Sequence, residues 1–331
     1  MAAAPTPSPG PDSLAHGSPA DGSSAERSPA TEDSVAQSSP SQSSRSQSFP
    51  AQNPPVESSA AETSIPGRGR LVGLTCQAGH RFDAARQGYV NLLSGRGTAF
   101  TPDTAAMIMA RERVQDGGIF TALSTRLAAL VENHSRRDPT SAAESQMILD
   151  CGAGTGYYLH QLLEGAPGTR SIAIDLSIPG LKRAAKHTQT LALAWDLWRP
   201  LPLADSSVDV LLDVFAPRNA AEYARVLRPG GIAIVVTPRE GHLGELRRSG
   251  LLKIQSEKRA QLEAQLAPAF GPPVSIERVT AELGVDHSLA ADLVFMGPAG
   301  HHRDLDELRA EMEAVDVSTV TVDLDVSLWR R

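Results

Sequence analysis

The sequence predicts an α/β fold built on a mostly parallel central sheet. Three stretches carry that expectation. Residues 148–162, Ile-Leu-Asp-Cys-Gly-Ala-Gly-Thr-Gly-Tyr-Tyr-Leu-His-Gln-Leu, read as an apolar strand, a glycine turn and the start of a helix. Residues 171–176, Ser-Ile-Ala-Ile-Asp-Leu, read as a second buried strand ending in a carboxylate. Residues 225–238, Arg-Val-Leu-Arg-Pro-Gly-Gly-Ile-Ala-Ile-Val-Val-Thr-Pro, place a helix end at Pro-Gly-Gly ahead of a β-branched strand. Short apolar strands alternating with helices are the pattern of a parallel sheet covered on both faces.

Each element has its own reason. Gly152, Gly154 and Gly156, with Ala153 and Thr155 between them, let the backbone turn sharply and let a ligand approach it. No Gly-Lys-Ser/Thr follows, so this is not a P-loop. The Asp-x-Gly-x-Gly-x-Gly run from Asp150 resembles motif I of the Rossmann-like S-adenosylmethionine (SAM) methyltransferases. Asp175 follows Gly156 by 19 residues, a distance at which a carboxylate can accept hydrogen bonds from a ribose diol. Leu191–Trp195 reads as a third strand, followed by Asp196. In that superfamily an acidic residue here commonly meets the adenine amino group. Ser207–Phe215 reads as a fourth strand, running into Ala216 and Pro217. Leu-x-Pro-Gly-Gly before the next strand is a usual mark of the same superfamily.

Composition bounds the rest. The chain has 331 residues, 41% of them hydrophobic, enough for a sizeable core. No apolar run approaches the roughly 18 residues of a membrane span, and no basic segment precedes an apolar one at the N-terminus. Cys76 and Cys151 are the only cysteines. That excludes a disulfide framework and makes a reducing cytoplasm the expected location. Ser and Pro fill 28 of the first 66 positions, so residues 1–66 are expected to be a disordered tail. Charge is uneven. Residues 1–66 carry 7 acidic and 2 basic side chains, whereas residues 67–137 carry 10 Arg, no Lys and 5 acidic side chains. An arginine-only cationic stretch suits a polyanion such as RNA.

Residues 76–93, Cys-Gln-Ala-Gly-His-Arg-Phe-Asp-Ala-Ala-Arg-Gln-Gly-Tyr-Val-Asn-Leu-Leu, carry the more specific signal. This block resembles the N-terminal module of the large-subunit ribosomal RNA guanine-N1 methyltransferases, the RlmA/TlrB family. The similarity continues through Asp103–Leu123, Val214–Pro217 and Thr237-Pro238 with His242-Leu243, and covers roughly residues 70–331. It implies three parts: a tail over 1–66, a small RNA-recognition module with a helical link over 67–143, and a methyltransferase domain over 144–331. Asn219, after Val-Phe-Ala-Pro-Arg, resembles the actinobacterial branch, some of whose members give macrolide resistance. Family modules bind zinc through two cysteines upstream and a Cys-x3-His pair downstream. Here Cys76 and His80 supply the downstream pair, and residues 67–75 supply nothing. Half of a four-ligand site is not expected to hold structural zinc.

The resemblance implies methyl transfer from SAM to N1 of a guanine in a ribosomal RNA hairpin. The cofactor residues it points to are Phe120, Asp150, Gly152, Ala153, Gly154, Thr155, Gly156, Asp175, Asp196 and His242. Phe215, Pro217 and Asn219 are expected on the target side. A base for the N1 proton or a stabiliser of the N1 anion is also expected. The sequence does not identify that group, and Asp213 and Asn219, which flank the target-side loop, are its candidates. The expected partner is ribosomal RNA, with no membrane; a second copy of the chain is a further candidate. Two rivals stay open. A SAM enzyme acting on a small molecule would share Gly152–Pro238 without needing residues 76–93. A non-catalytic RNA-binding protein would tolerate a ruined glycine loop, which is intact here.

Overall fold

A computed structural model describes residues 71–331, apart from 77, 94–97, 138–145, 165, 167, 249, 251–257 and 316. The expected tail over 1–66 lies outside the described residues. So does the expected boundary near residue 143.

Eight strands form one sheet in the order β3-β6-β5-β4-β7-β8-β10-β9. Here β3 is Tyr89–Asn91, β4 Met147–Cys151, β5 Arg170–Asp175, β6 Thr190–Ala194, β7 Val208–Val214, β8 Leu227–Pro238, β9 Ser275–Gly284 and β10 Thr319–Arg330. The pairs from β3 to β8 are parallel, and β10 runs antiparallel to both β8 and β9. The parallel strands are buried on both faces; β7 has all seven residues buried. That explains why Val-Asp-Val-Leu-Leu-Asp-Val reads as a near-continuous apolar run rather than an alternating one.

Helices cover the faces. They are α1 Ala105–Asp116, α2 Thr121–Arg137, α3 Tyr157–Leu163, α4 Ile178–Ala184, α5 Ala220–Val226, α6 Gly244–Arg248, α7 Lys258–Phe270, α8 His287–Phe295 and α9 Leu305–Val315. One face packs Met107, Leu123, Leu127, Leu159, Leu181 and Val294 against Ile148, Val210 and Ile234. The other packs Tyr223, Val226, Leu262, Leu266 and Trp329 against Leu149, Leu211 and Val235. Among the described residues no helix is long and apolar enough to cross a membrane.

The N-terminal block does not stand apart from the sheet. β1 (Gly73–Thr75) and β2 (Arg81–Asp83) pair as a small hairpin, while β3 adds a parallel edge strand beside β6. Val90 is fully buried. The Gly-Tyr-Val-Asn-Leu-Leu segment is thus an edge strand of the main sheet. The Pro-Gly-Gly turn also differs in detail from the sequence reading. α5 stops at Val226, and the turn is absorbed into β8 as an irregularity in its pairing with β7. Gly230, at φ 84, makes the detour possible.

Candidate functional site

The strand order reverses between β4 and β7, so a ligand crevice is expected outside their carboxyl ends. Two loops meet there. The loop after β4 turns through Gly152 and Gly154, at φ 80 and 53, the left-handed region that disfavours any Cβ. The two glycines differ in their surroundings. A Cβ on Gly152 would sit 2.4 Å from the Ala216 Cβ, so packing alone forbids a side chain. A Cβ on Gly154 would meet only the flexible end of Arg111, at 2.9 Å. Its glycine is demanded by backbone shape and by ligand approach.

Two carboxylates line this turn. Asp175 Oδ2 accepts from Gly154 N at 2.8 Å, and its Oδ1 accepts from Ser177 N at 2.6 Å. A carboxylate offers about four lone-pair sites, so acceptor capacity remains for a diol. Burial pushes the Asp175 pKa up, against the pull of those backbone bonds. Asp150 is buried, and its Oδ2 has no hydrogen-bond partner among the described residues. Its pKa is pushed up to about 8 by burial, then by the charges of Asp175 and Asp213. SAM brings a ribose, a sulfonium and an ammonium. An orphaned buried carboxyl oxygen, a side-chain-free backbone turn and a carboxylate with spare acceptors fit such a cation.

The remaining cofactor candidates are less uniform. Asp196 is buried; its Oδ2 accepts from Thr98 Oγ1 at 2.8 Å and its Oδ1 from Trp198 N at 3.0 Å. Ala153 and Thr155 are buried, and Thr155 Oγ1 donates to Gln115 Oε1 at 2.8 Å. Gly156 caps α3 in the left-handed conformation, at φ 79.

On the target side, β7 runs into Phe215, which adopts φ 61 and is 42% exposed. A bulky residue in the left-handed region is strained. His242 stacks on this ring, 6.0 Å between centroids and 16° between planes, and Phe120 tilts against it at 6.0 Å. Phe120, Phe215 and His242, from three distant parts of the chain, therefore form one aromatic shelf beside the glycine turn. Pro217 is exposed on the same loop. Asn219 is used differently. Its Oδ1 accepts from Glu222 N to cap α5, and its Nδ2 donates to the Leu197 carbonyl at 3.0 Å. Both ends of this side chain serve the fold, so it is a cap rather than a target contact. Asp213 is fully buried behind the loop, which removes it as a base reaching the target.

The Cys76–His80 turn closes on itself. Cys76 N donates to the His80 carbonyl at 3.0 Å, and Cys76 Sγ lies 3.4 Å from His80 Nδ1. Among the described residues no group of three or more His, Cys, Asp or Glu could hold a metal. The pair does not fit a structural zinc site, which takes four ligands.

The arginine-rich stretch also resolves into parts. Arg113 makes a two-pronged pair with the buried Asp292, both bonds 2.6 Å. Arg126 pairs with Glu277 and Arg111 with Asp103. Arg113 and Arg126 tie α1 and α2 to the second half of the domain, and Arg111 reaches it by donating to the Met296 carbonyl at 2.9 Å. Arg81 and Arg86 stay at the surface, Arg81 beside the equally exposed Asp83. Sequence reasoning missed Arg111 over the glycine turn, Thr98 over Asp196 and Tyr223 beneath the target loop. Their contacts span 10 to 185 residues, and no local pattern signals them.

Residues 148–231 match the family described as "Methyltransferase domain", and residues 71–95 match that described as "RlmA, N-terminal". The chain is 40% identical over 258 residues to a 23S rRNA (guanine(748)-N(1))-methyltransferase of Streptomyces fradiae, covering 76% of this chain and 90% of that one. It is 42% identical over 267 residues to a putative 23S rRNA (guanine-N(1)-)-methyltransferase of Micromonospora griseorubida, covering 78% and 89%. A putative enzyme of the same description from Bacillus subtilis is 32% identical over 265 residues, covering 76% and 88%. With such identity spread over both the N-terminal block and the glycine-loop domain, the chain belongs to the family of 23S rRNA guanine-N1-methyltransferases.

Proposed function

We propose that this protein transfers a methyl group from SAM to N1 of a guanine in a hairpin of large-subunit ribosomal RNA. The observation that carries the reading is the Phe120–Phe215–His242 shelf set beside the glycine turn at the sheet's switch point. A base taken out of its stack needs an apolar face to replace its neighbours, and Phe215 presents one.

Bound SAM would supply an electrophilic methyl to N1, the carbon–sulfur pair staying with sulfur and the N1 proton passing to solvent water. The protein's share is alignment and charge. Gly152 and Gly154 keep side chains out of the cofactor's path, and Asp175 accepts from the ribose. Asp150 offers a buried acceptor to a cationic ligand. Asp196 keeps lone pairs for the adenine amino group beyond those used by Thr98 and Trp198. Phe215 and Pro217 receive the target base, with Phe120 and His242 behind them. Holding both partners in line removes much of the entropic barrier. Arg81 and Arg86 are the surface cations best placed by the sequence to meet phosphate.

The test offers labelled SAM with a 23S rRNA transcript and, separately, with a metabolite extract. Label is expected in the RNA. Methyl on N1 blocks the Watson–Crick edge, so reverse transcription should stop beside a single guanine. Label entering only the extract would assign the same cradle to a small-molecule substrate. No label in either, with SAM bound, would leave an RNA-binding protein without turnover.

A further inference from the structure

Beneath the target-side loop lies a buried polar pair that none of the roles above uses. Asp213 and Tyr223 both have no exposed surface. Asp213, in β7, accepts from Ala216 N through Oδ1 at 3.3 Å. Its Oδ2 lies 2.8 Å from the Tyr223 hydroxyl, contributed by α5. The same hydroxyl lies 3.0 Å from the Pro217 carbonyl. Both partners hold the chain just after Phe215: one the next amide, the other the carbonyl two residues on. The strained φ of 61 at Phe215 persists only if the surroundings over-determine it.

Proton counting selects the state of this pair. Three oxygens stand in series, Asp213 Oδ2, Tyr223 Oη and the Pro217 carbonyl, and the buried Cys151 thiol, itself a donor, lies beside the Tyr223 hydroxyl. A tyrosine hydroxyl carries one proton. If Asp213 is ionised, that proton goes to the carboxylate, and the Pro217 carbonyl faces a lone pair. If Asp213 carries a proton on Oδ2, it donates to Tyr223, and Tyr223 donates to Pro217. Only the second arrangement puts a proton in both short contacts; the first sets two oxygen lone pairs against each other at 3.0 Å. Burial acts the same way, holding the Asp213 carboxyl up to about 7 against the opposing pull of Tyr223, Arg218 and the Ala216 amide. The other titratable groups facing it are Asp150 and Cys151 on β4, both raised by burial. The adjoining residues of β8, Val235 and Val236, are apolar.

We propose that Asp213 and Tyr223 are positioning residues for methyl transfer: as a neutral, hydrogen-bonded pair they hold the Phe215–Pro217 loop in the shape that receives the target base. Neither touches the substrate; both act through the backbone of the loop. This deepens the methyltransferase reading and rests on it.

The test measures kcat and the KM for RNA against pH, at saturating SAM, for the wild type, Tyr223→Phe and Asp213→Asn. Tyr223→Phe removes the donor to Pro217 and keeps the ring. It should lower kcat about tenfold and the melting temperature by roughly a few degrees, while SAM affinity stays close to wild type. Asp213→Asn imitates the protonated acid, its amide donating to Tyr223 and its oxygen accepting from Ala216. The wild type is expected to lose kcat on the alkaline side as Asp213 ionises; Asp213→Asn should lack that fall and hold kcat within about a few-fold of wild type at acid pH. Three results would overturn the proposal: wild-type kcat in Tyr223→Phe, an unchanged alkaline fall in Asp213→Asn, or a folded, SAM-binding Asp213→Asn without turnover. Should the wild type itself fail to methylate rRNA, the functional reading fails, and infrared spectroscopy still decides the pair. A protonated-carboxyl band missing from Asp213→Asn supports it, and no such band in the wild type sinks it.

Discussion

The glycine turn after β4 and the Cys76–His80 turn are both short loops beside a strand, yet they are held in different ways. At the glycine turn a Cβ on Gly152 would strike Ala216, and Gly154 N is bonded to Asp175. Residues from two strands and a facing loop fix one shape. At the N-terminal turn the closing contacts are local, Cys76 with His80 and Gly79 with Cys76. What attaches that block to the domain is Val90 in β3, buried beside β6. A site assembled by many distant contacts is sensitive to single changes. A turn with only two candidate metal ligands can still be held if packing next to it supplies the anchor.

The strongest way to break the comparison is at the cradle. Gly154→Ala places a Cβ against the movable end of Arg111, so folding should survive while the ligand's approach is blocked. Asp175→Ala leaves the ribose hydroxyls and Gly154 N without their acceptor. Each is expected to weaken SAM binding by about 100-fold, measured by calorimetry. Wild-type affinity in both folded variants would move the cofactor elsewhere.

The shelf comes next. Phe215→Ala removes the face offered to the target base, and kcat/KM for RNA should drop roughly ten- to hundredfold with SAM affinity little changed. An equal loss of SAM affinity would make Phe215 a cofactor residue.

The buried carboxyls give a pH signature. Asp150 and Asp213 are held up to about 8 and about 7, so the folded state keeps protons that the unfolded chain releases near pH 4. The stability they contribute is fully present below that point and is lost as pH rises through about 7 and 8. The SAM-free protein should therefore lose on the order of a few kcal/mol between pH 5 and 8, followed by denaturant titration. Asp150→Asn should flatten the loss. A stability that rises over this range would reverse the assignment.

The smallest effects belong to the N-terminal block. Replacing Arg81, Arg86 and Arg96 with Gln should flatten the salt dependence of RNA binding by up to about three counterions and leave SAM binding alone; Arg96 lies outside the described residues. A chelator should leave the melting temperature unchanged, because Cys76 and His80 are two ligands where four are needed. One zinc per chain with a chelator-induced loss of stability would require ligands from another subunit.

The order of the strands from β4 to β8, the glycine turn and the place of Asp175 were legible in the sequence; β9, β10 and the helices after β8 were not. What was legible rests on local chemistry: left-handed backbone and apolar strand runs. The family was legible in residues 76–93 for the same reason, since a contiguous block survives in the linear text. Tertiary structure alone decided what needs neighbours from far along the chain. It turned the Gly-Tyr-Val-Asn segment into an edge strand of the main sheet, because Val90 finds its burial beside Leu193. It assigned most of the helical arginines to carboxylates instead of solvent, and Asn219 to a helix cap. It also gathered Phe120, Phe215 and His242 into one shelf over Asp213 and Tyr223. Spacing in sequence carries helix and strand periods; it carries no information on which side chains meet when residues 62 positions apart become neighbours, as Ile148 of β4 and Val210 of β7 do.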